Sequence, residues 1–290
     1  MALDGLLGPT NSSSQARDHM KTISIITVNL NEADSLRRTI ESVEAYAPHD
    51  AEYIVIDGAS TDSSIDVIKR HSSRIDSWVP EPDSGIYCAM NKGITRASGE
   101  YCLFLNSGDR LVSDNGLGEL PERDYDVFYA DALFVDGDRR QHIGYPQGID
   151  VNFFITGMIN HQNALVRRDL FLRYGLYDER FKICADWFFF LKLAYEGELT
   201  FFHLPKTISE FVVGGVSSRP ENEEIKKREI TAGIRLVFKK LTPTILDYLE
   251  YRDSVYRNIV DRFGDRKSLG LLLRCYRCFI RLAAKAHMCI

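Results

Sequence analysis

The chain has no uninterrupted apolar run near the roughly 18 residues that a membrane-spanning helix requires. Its opening residues 1–20, MALDGLLGPTNSSSQARDHM, lack the apolar core of a secretion signal. They are expected to be an appended leader ahead of a natural start at Met20, with a disordered native tail as the alternative. Basic charge is not in surplus either. The 36 Lys and Arg against 41 Asp and Glu give a net charge of −5, and no basic run interleaved with aromatics occurs in the first two hundred residues. Nucleic acid is therefore not an expected partner. Cysteine is sparse, six in 290 residues, and only Cys275 and Cys278 form a C-x-x-C. With no second pair and no histidine pair at ligand spacing, zinc is not expected. Reduced thiols in a cytosolic compartment fit this usage. Internal repeats are absent too.

What is there is regular. Ile23 to Val28 reads as a buried strand, and NEADSLRRTIESVEAYA as an amphipathic helix with Leu36, Ile40 and Val43 on one stripe. Tyr53 to Ile56 is a second strand, followed by a helix through Ile65, Val67 and Ile68. Trp78-Val79 reads as a short strand, GIYCAMNKGITRASG as a helix closed by Gly99, and YCLFL as a strand ending at Asn106. This alternation predicts an α/β fold with a mostly parallel sheet covered by helices. The second half is mixed. DVFYADALFV reads as a strand or strand pair, NALVRRDLFLRYG as a strand running into a helix, ADWFFFLKLAYEG as a helix stopped by Gly197, and LTFFHL as a strand. Charged helical sequence follows, so boundaries are expected at 21–217 for the α/β domain and 218–290 for a helical extension.

Three strands of the first half end in polar clusters: TVNLNE, DGASTD and NSGD. Parallel sheets bind ligands outside the carboxyl ends of their strands, and three such clusters on one rim point to a site. For Asp57 two readings stand. It faces water beside a helix that Thr61 or Asp62 caps, or it meets a polar ligand.

SIITVNLNEADSLRRTIESV, YIVIDGASTDSS, EPDSGIYCAMNKGITRASGEYCLFLNSGD and HQNALVRRDLF…YDERFKICADWFFFLKL resemble glycosyltransferase family 2. The resemblance covers Lys21 to Ser218 and is narrowest to bacterial members that build surface polysaccharides such as O-antigen and colanic acid. It implies a GT-A fold, a nucleotide-sugar donor with a UDP-sugar the commonest, frequent use of Mg²⁺ or Mn²⁺, and inversion at the anomeric carbon. By the same resemblance Thr27, Asn29 and Glu32 surround the nucleoside. Asp57 accepts from a ring N–H of the base, with Gly58 allowing close approach. Asp83 holds nucleotide or ribose, Asn91 and Lys92 touch diphosphate or sugar, and His161-Gln162 lie on the acceptor side.

Two departures stand out. The family's D-x-D metal motif is NSGD here, leaving Asp109 as the metal carboxylate with Asn106 offering an amide oxygen. A hard cation can take its remaining oxygens from diphosphate and water. Cys88 stands where many relatives carry Asp in the GIYDAMN helix, so the sugar pocket lacks a charge. Asp186 is the expected base, with a helix N-cap as the alternative reading. Asp178 and Glu179 read as a structural turn, and VVGGVSS as a flexible lid or a plain turn. From Arg266 onward there is no acid. As a helix, residues 266–285 would gather Arg274, Arg277, Arg281 and Lys285 within an arc of roughly 80°. Such a helix lies on an anionic cytoplasmic leaflet or packs on protein.

The reading is an inverting glycosyltransferase acting on a glycan or lipid-linked acceptor in cell-surface polysaccharide synthesis. It would sit in the cytoplasm or peripherally on the inner membrane. The rivals are a nucleotide-sugar-binding module without turnover and a peripheral membrane scaffold. Oligomeric state, sugar and linkage are not legible.

Overall fold

The structure is a computed structural model that describes residues 23–112, 117–118, 120–197, 199–215, 217, 219–239 and 242–263. Residues 1–20, expected to be a leader or a native tail, and the basic segment 266–285 lie outside these residues.

β1 (Ile23–Asn29) is buried at every position, and β2 (Glu52–Asp57) at all but the first. That is the pattern of strands covered on both faces. They pair in parallel with Asn29 opposite Asp57, so two polar residues finish side by side. β3 (Ser77–Pro80) extends the sheet beyond β2, and β4 (Tyr101–Phe104) beyond β1, both in parallel. The crossovers are α1 (Ala33–Tyr46), α2 (Ser64–Arg70) and α3 (Ile86–Arg96). Leu36, Ile40 and Val43 of α1 are fully buried in one cluster with Ile25, Tyr53 and Leu103, as the stripe predicted. Five wholly apolar side chains of that kind are each worth about 1.5–3 kcal/mol against exposure, which is what holds the helix on the sheet.

Beyond β4 the sheet becomes mixed. β5 (Arg110–Leu111), β6 (Val127–Asp136), β7 (Arg139–Ile143), β8 (Ala164–Arg167) and β9 (Phe201–Val212) complete the order β3-β2-β1-β4-β8-β6-β9-β5, with β7 on β6. DVFYADALFV forms the single strand β6, which turns back as a hairpin into β7. α5 (Arg168–Tyr174) follows β8, as NALVRRDLFLRYG predicted.

One expected helix stop is corrected. α3 ends at Arg96, where the Ala97 amide bonds Gly93 O, rather than at Gly99. Gly99 is needed for a different reason. A Cβ there would lie 2.6 Å from Ser24 Oγ and 2.7 Å from Ser24 N, so only glycine lets this loop meet β1.

The chain divides into two compact units. The first takes the described residues up to Gly148, Ile159–Glu179 and Leu199–Val213, and holds the whole sheet. The second takes Ile149–Met158, Arg180–Glu198 and the described residues from Gly214. It contains α4 (Val151–Thr156), α6 (Ala185–Glu196), α7 (Glu223–Phe238) and α8 (Thr242–Phe263). The boundary drawn at residue 217 follows chain order; these units interleave. Inside the second unit, Trp187 Nε1 donates to Phe154 O at 2.7 Å, and the rings of Phe154 and Phe190 stack at 5.7 Å. Gly233 of α7 lies flat on Trp187, where a Cβ would come within 2.6 Å of the indole.

Gly99→Ala is expected to cost about 1–3 kcal/mol, because the new methyl meets backbone that cannot move aside. Gly157→Ala, whose Cβ would come no nearer than 3.4 Å to its neighbours, should stay within about 0.5 kcal/mol. Urea denaturation reads both; equal midpoints for the two variants would contradict the close-approach account.

Candidate active site at the sheet rim

The three polar clusters converge. Asn29, at the end of β1, spends both atoms of its amide. Its Oδ1 accepts from Ser107 Oγ at 2.8 Å, and its Nδ2 donates to Asp57 Oδ1 at 2.8 Å and to Ser60 Oγ at 3.2 Å. Ser60 closes the ring: its Oγ donates to Asp57 Oδ1 and its amide to Asp57 Oδ2, each at 2.7 Å. The same Oγ accepts from Asn31 N. Asn31 (φ 54°) and Ala59 (φ 63°) are non-glycine residues in the left-handed region on these two loops. Strain of that kind costs of order 1–3 kcal/mol and collects at ligand-binding turns. Ser60 and Ser107 were not singled out in the sequence, although they sit inside the DGASTD and NSGD clusters that were.

The water-facing reading of Asp57 does not hold. It is fully buried, not facing water, and its carboxylate accepts three internal bonds. It braces the loops of β1 and β2. The cap on α2 comes from Asp62, whose Oδ1 accepts from Ser64 N while its Oδ2 accepts from Ala33 N at the start of α1.

The NSGD turn is organised from α1. Thr39 Oγ1 accepts from Gly108 N and donates to Asp109 O, and Gly108 has φ +104°, which favours glycine. Asp109 is buried and accepts one hydrogen bond, from Asn106 N at 3.2 Å. Burial pushes its carboxyl up to about 7, against a smaller opposing pull from His161. Asn106 Nδ2 donates to His161 Nε2 at 2.9 Å, and Asn106 Oδ1 is buried without a hydrogen-bond partner. An unsatisfied amide oxygen and a buried carboxyl with one hydrogen-bond donor among the described residues fit a divalent cation that draws its other oxygens from a diphosphate and water. Among the described residues no three His, Cys, Asp or Glu side chains are grouped to hold a metal by themselves.

The loop before α3 adds Asp83, half-buried, whose Oδ1 accepts from Gly85 N. Gly58 makes room for it: a Cβ at 58 would sit 2.6 Å from Asp83 Oδ2. Glu32 is exposed at the start of α1, and Cys88 is a free, half-buried thiol on α3.

Three residues expected at the ligand make contacts within the protein. Thr27 is fully buried mid-strand, sharing a 3.0 Å hydrogen bond with the Tyr53 hydroxyl, so it is a core residue. Asn91 is buried and accepts from Tyr177 N while donating to Tyr177 O and Glu179 Oε1. It fastens the YDE turn to α3 and has no amide atom to offer. Lys92 Nζ donates to Pro82 O at 2.8 Å, holding the loop that carries Asp83.

His161 and Gln162 lie in a 3-10 turn before β8. Gln162 is 1% exposed, and neither atom of its amide has a partner. Asp186 belongs to the second unit. It is the second residue of α6, 3% exposed, with Oδ1 accepting from Trp187 N. The N-cap reading does not hold for it. Glu229 of α7 serves the start of α6 instead, accepting from the amides of Lys182, Ile183 and Cys184. In VVGGVSS, Gly214 takes φ +124°, and residues 216 and 218 lie outside the described residues.

A parallel half-sheet with a polar rim, continued by a mixed half in which β6 and β9 pair in parallel, is shared with sugar transferases of the GT-A class. The chain belongs to glycosyltransferase family 2, whose family pattern (Glycosyl transferase family 2) matches residues 24–175. It is 34% identical over 215 residues to an uncharacterized glycosyltransferase of Mycobacterium tuberculosis, covering 69% of this chain and 78% of the relative. It is 27% identical over 227 residues to a PGL/p-HBAD biosynthesis glycosyltransferase of Mycobacterium bovis, covering 74% and 87%. Two solved structures share the fold. Staphylococcus aureus TarS 1–349 in complex with UDP-GlcNAc has TM-score 0.62 and 18% identity over 85% of this chain and 77% of that one. The mannosyltransferase PcManGT of Pyrobaculum calidifontis with GDP-Man and Mn²⁺ has TM-score 0.58 and 14% identity over 89% and 79%. The protein is a glycosyltransferase.

Because Asp109 has its pKa raised from 3.8 to about 7, the folded state holds a proton that the unfolded chain has released between those values. Stability is therefore expected to fall as pH rises through that window. In chelator-treated protein, Asp109→Asn should gain on the wild type at pH 8 and lose that advantage at pH 5, by denaturant titration. A gain of equal size at both pH values would contradict the buried-carboxyl account.

Proposed function

We propose that this enzyme transfers a sugar, with inversion, from a nucleoside diphosphate sugar to a glycan or lipid-linked acceptor in bacterial cell-surface polysaccharide synthesis. A UDP-sugar is the proposed donor. The observation that carries this is the single hydrogen-bonded rim joining Asn29, Asp57, Ser60 and Ser107 in a family 2 chain. The similarity to a PGL/p-HBAD biosynthesis glycosyltransferase, and over 95 residues to a putative teichuronic acid biosynthesis glycosyltransferase of Bacillus subtilis, supports the surface-glycan assignment.

Inversion requires an in-line displacement. The acceptor oxygen attacks the anomeric carbon as the bond from that carbon to the diphosphate oxygen breaks, and the nucleoside diphosphate leaves with the bonding electrons. The hydroxyl proton passes to a carboxylate, for which the family resemblance designates Asp186. General-base help of this kind is typically worth about 10²–10⁴-fold. Asp109, with Asn106 offering its amide oxygen, would hold a Mg²⁺ or Mn²⁺ ion, whose charge would steady the departing diphosphate. Asp83 and Glu32 are carboxylates of the rim loops open to nucleoside hydroxyls or base donors, with Asp57 bracing the loops beneath them. His161 and Gln162 are assigned to the acceptor side. Peripheral contact with the cytoplasmic face of the membrane through 266–285 would bring the enzyme to a lipid-linked acceptor.

A thermal-shift panel of nucleotide sugars with and without Mn²⁺ should single out one donor that raises the melting point in proportion to occupancy. With that donor, Asp186→Asn is expected to bind as before while turnover drops about 10²–10⁴-fold. Full turnover in the variant would remove Asp186 as the base. Donor binding without any turnover in the wild type, under all acceptors tried, would favour a binding module instead.

A further inference from the structure

The proposed reaction leaves one cationic cluster on the sheet without a role. β7, β6, β9 and β5 run side by side, with Arg140 opposite Val135, Glu210 opposite Leu133 and Arg110 opposite Glu210. Opposed residues project from the same face, so Arg140, Glu210 and Arg110 stand on one face of the sheet. Glu210 is 7% exposed and its oxygens are divided: Oε1 accepts from Arg140 Nη1 and Oε2 from Arg110 Nη2, each at 2.5 Å.

One carboxylate facing two guanidiniums leaves a net positive charge. A single arginine would neutralise Glu210, so the second guanidinium is in excess of what pairing that carboxylate requires. Both arginines keep contact with solvent, at 35% for Arg110 and 57% for Arg140. Each has used one nitrogen on Glu210, and a guanidinium has five N–H donors in a planar fork. His142, exposed on β7 opposite Leu133, adds a third basic group to that face. Asp136, at the end of β6, does not cancel it, because it opposes Arg139 and so shares the other face. In a chain of net charge −5, such a surplus is local and directed.

We propose that Arg110 and Arg140, spread and fixed by Glu210, form an oxyanion site for a phosphate group. Bidentate N–H pairs match phosphate oxygens, and the carboxylate behind them removes the entropy cost of ordering two long side chains. Arg110 directly follows Asp109. Resting on the transferase reading, the phosphate is that of the acceptor, which would be docked one residue along the chain from the donor loop.

Isothermal titration of the full chain with inorganic pyrophosphate tests the site directly. Arg140→Gln keeps the Arg110–Glu210 pair and should fold. It is expected to weaken pyrophosphate binding about tenfold, the loss of one charge-assisted contact. Arg110→Gln should do the same. Arg139→Gln, on the opposite face of the same strand, should bind like the wild type. Equal weakening by Arg139→Gln, no difference between any of the variants and the wild type, or no binding at all would each overturn the proposal. Sedimentation with vesicles of phosphatidylglycerol and phosphatidylcholine, against phosphatidylcholine alone, separates the sources. Arg140-dependent binding to the anionic vesicles assigns a lipid headgroup, and Arg140-dependent pyrophosphate binding without it assigns a phosphate on a single acceptor molecule. The donor panel fails or succeeds separately: a wild type that binds pyrophosphate through Arg140 but no nucleotide sugar would refute the transferase reading and leave this site standing.

Discussion

The site depends on the contact between Asn29 and Asp57. Both side chains are buried, and each is committed to the other at the ends of adjacent parallel strands. A buried carboxylate is tolerated only when donors surround it, and here Asn29 and two groups of Ser60 supply them. The amide of Asn29 in turn needs acceptors for both hydrogens and a donor for its oxygen, which Asp57, Ser60 and Ser107 provide. A polar network of this sort is worth having only when complete, since each group left unpaired in a low-dielectric setting costs more than its partner gained. Three loops from three strands are therefore fixed together, and the backbone strain at Asn31 and Ala59 is held by the same bonds.

The rim treats its two buried carboxylates in opposite ways. Asp57 has three donors and is a brace. Asp109 has one, and burial leaves it near 7. The environment, not the residue type, separates them: three donors surround the Asp57 carboxyl, whereas burial with one donor raises the pKa of Asp109. A carboxyl held in that state beside an unsatisfied Asn106 oxygen is a place where added positive charge would be strongly favoured. The NSGD turn, with a single carboxylate where relatives carry two, compensates by withholding the donors that would otherwise satisfy it.

Much of this was legible in the sequence, and what was not has a physical reason. Continuous apolar runs fixed β1, β2 and β4, and the 3.6-residue stripe fixed α1, because burial on both sides or one side leaves those periods in the residues. The three polar clusters marked the rim. Side-chain direction was harder to see. Thr27 alternates inward on β1 and meets Tyr53, and Asn91 falls on the buried side of α3 and meets Tyr177; motif position alone carries no such phase. Gly99 looks like a helix stop but answers to Ser24, 75 residues earlier. Asp186 accepts from Trp187 N inside α6, while Glu229, 45 residues beyond Cys184, takes the amides of Lys182, Ile183 and Cys184 that lead into the helix. Nothing local announces a partner so far along the chain. For the same reason a boundary at 217 follows composition, while the compact units exchange segments at Ile149, Arg180 and Gly214.

The chemistry of the rim has a consequence for any anionic ligand. A diphosphate carries at least two negative charges, and a chain of net charge −5 offers it an unfavourable field at long range. Repulsion at short range is what the rim avoids. The Asp57 side chain is engaged by three donors within the protein, and burial pushes the Asp109 carboxyl up to about 7, so that about half of it is protonated at neutral pH. The groups left with spare hydrogen-bonding capacity are amides, those of Asn106 and Gln162, which present donors and acceptors without charge. Neutral amides distinguish hydroxyl patterns and tolerate phosphate equally, so they suit a ligand that is half sugar and half anion. Net positive charge is instead placed one residue beyond the loop, at Arg110, and fixed there by Glu210. Separating uncharged recognition at the strand ends from cationic attraction beside them lets one sheet edge meet both halves of such a ligand without paired opposite charges collapsing onto each other in its absence.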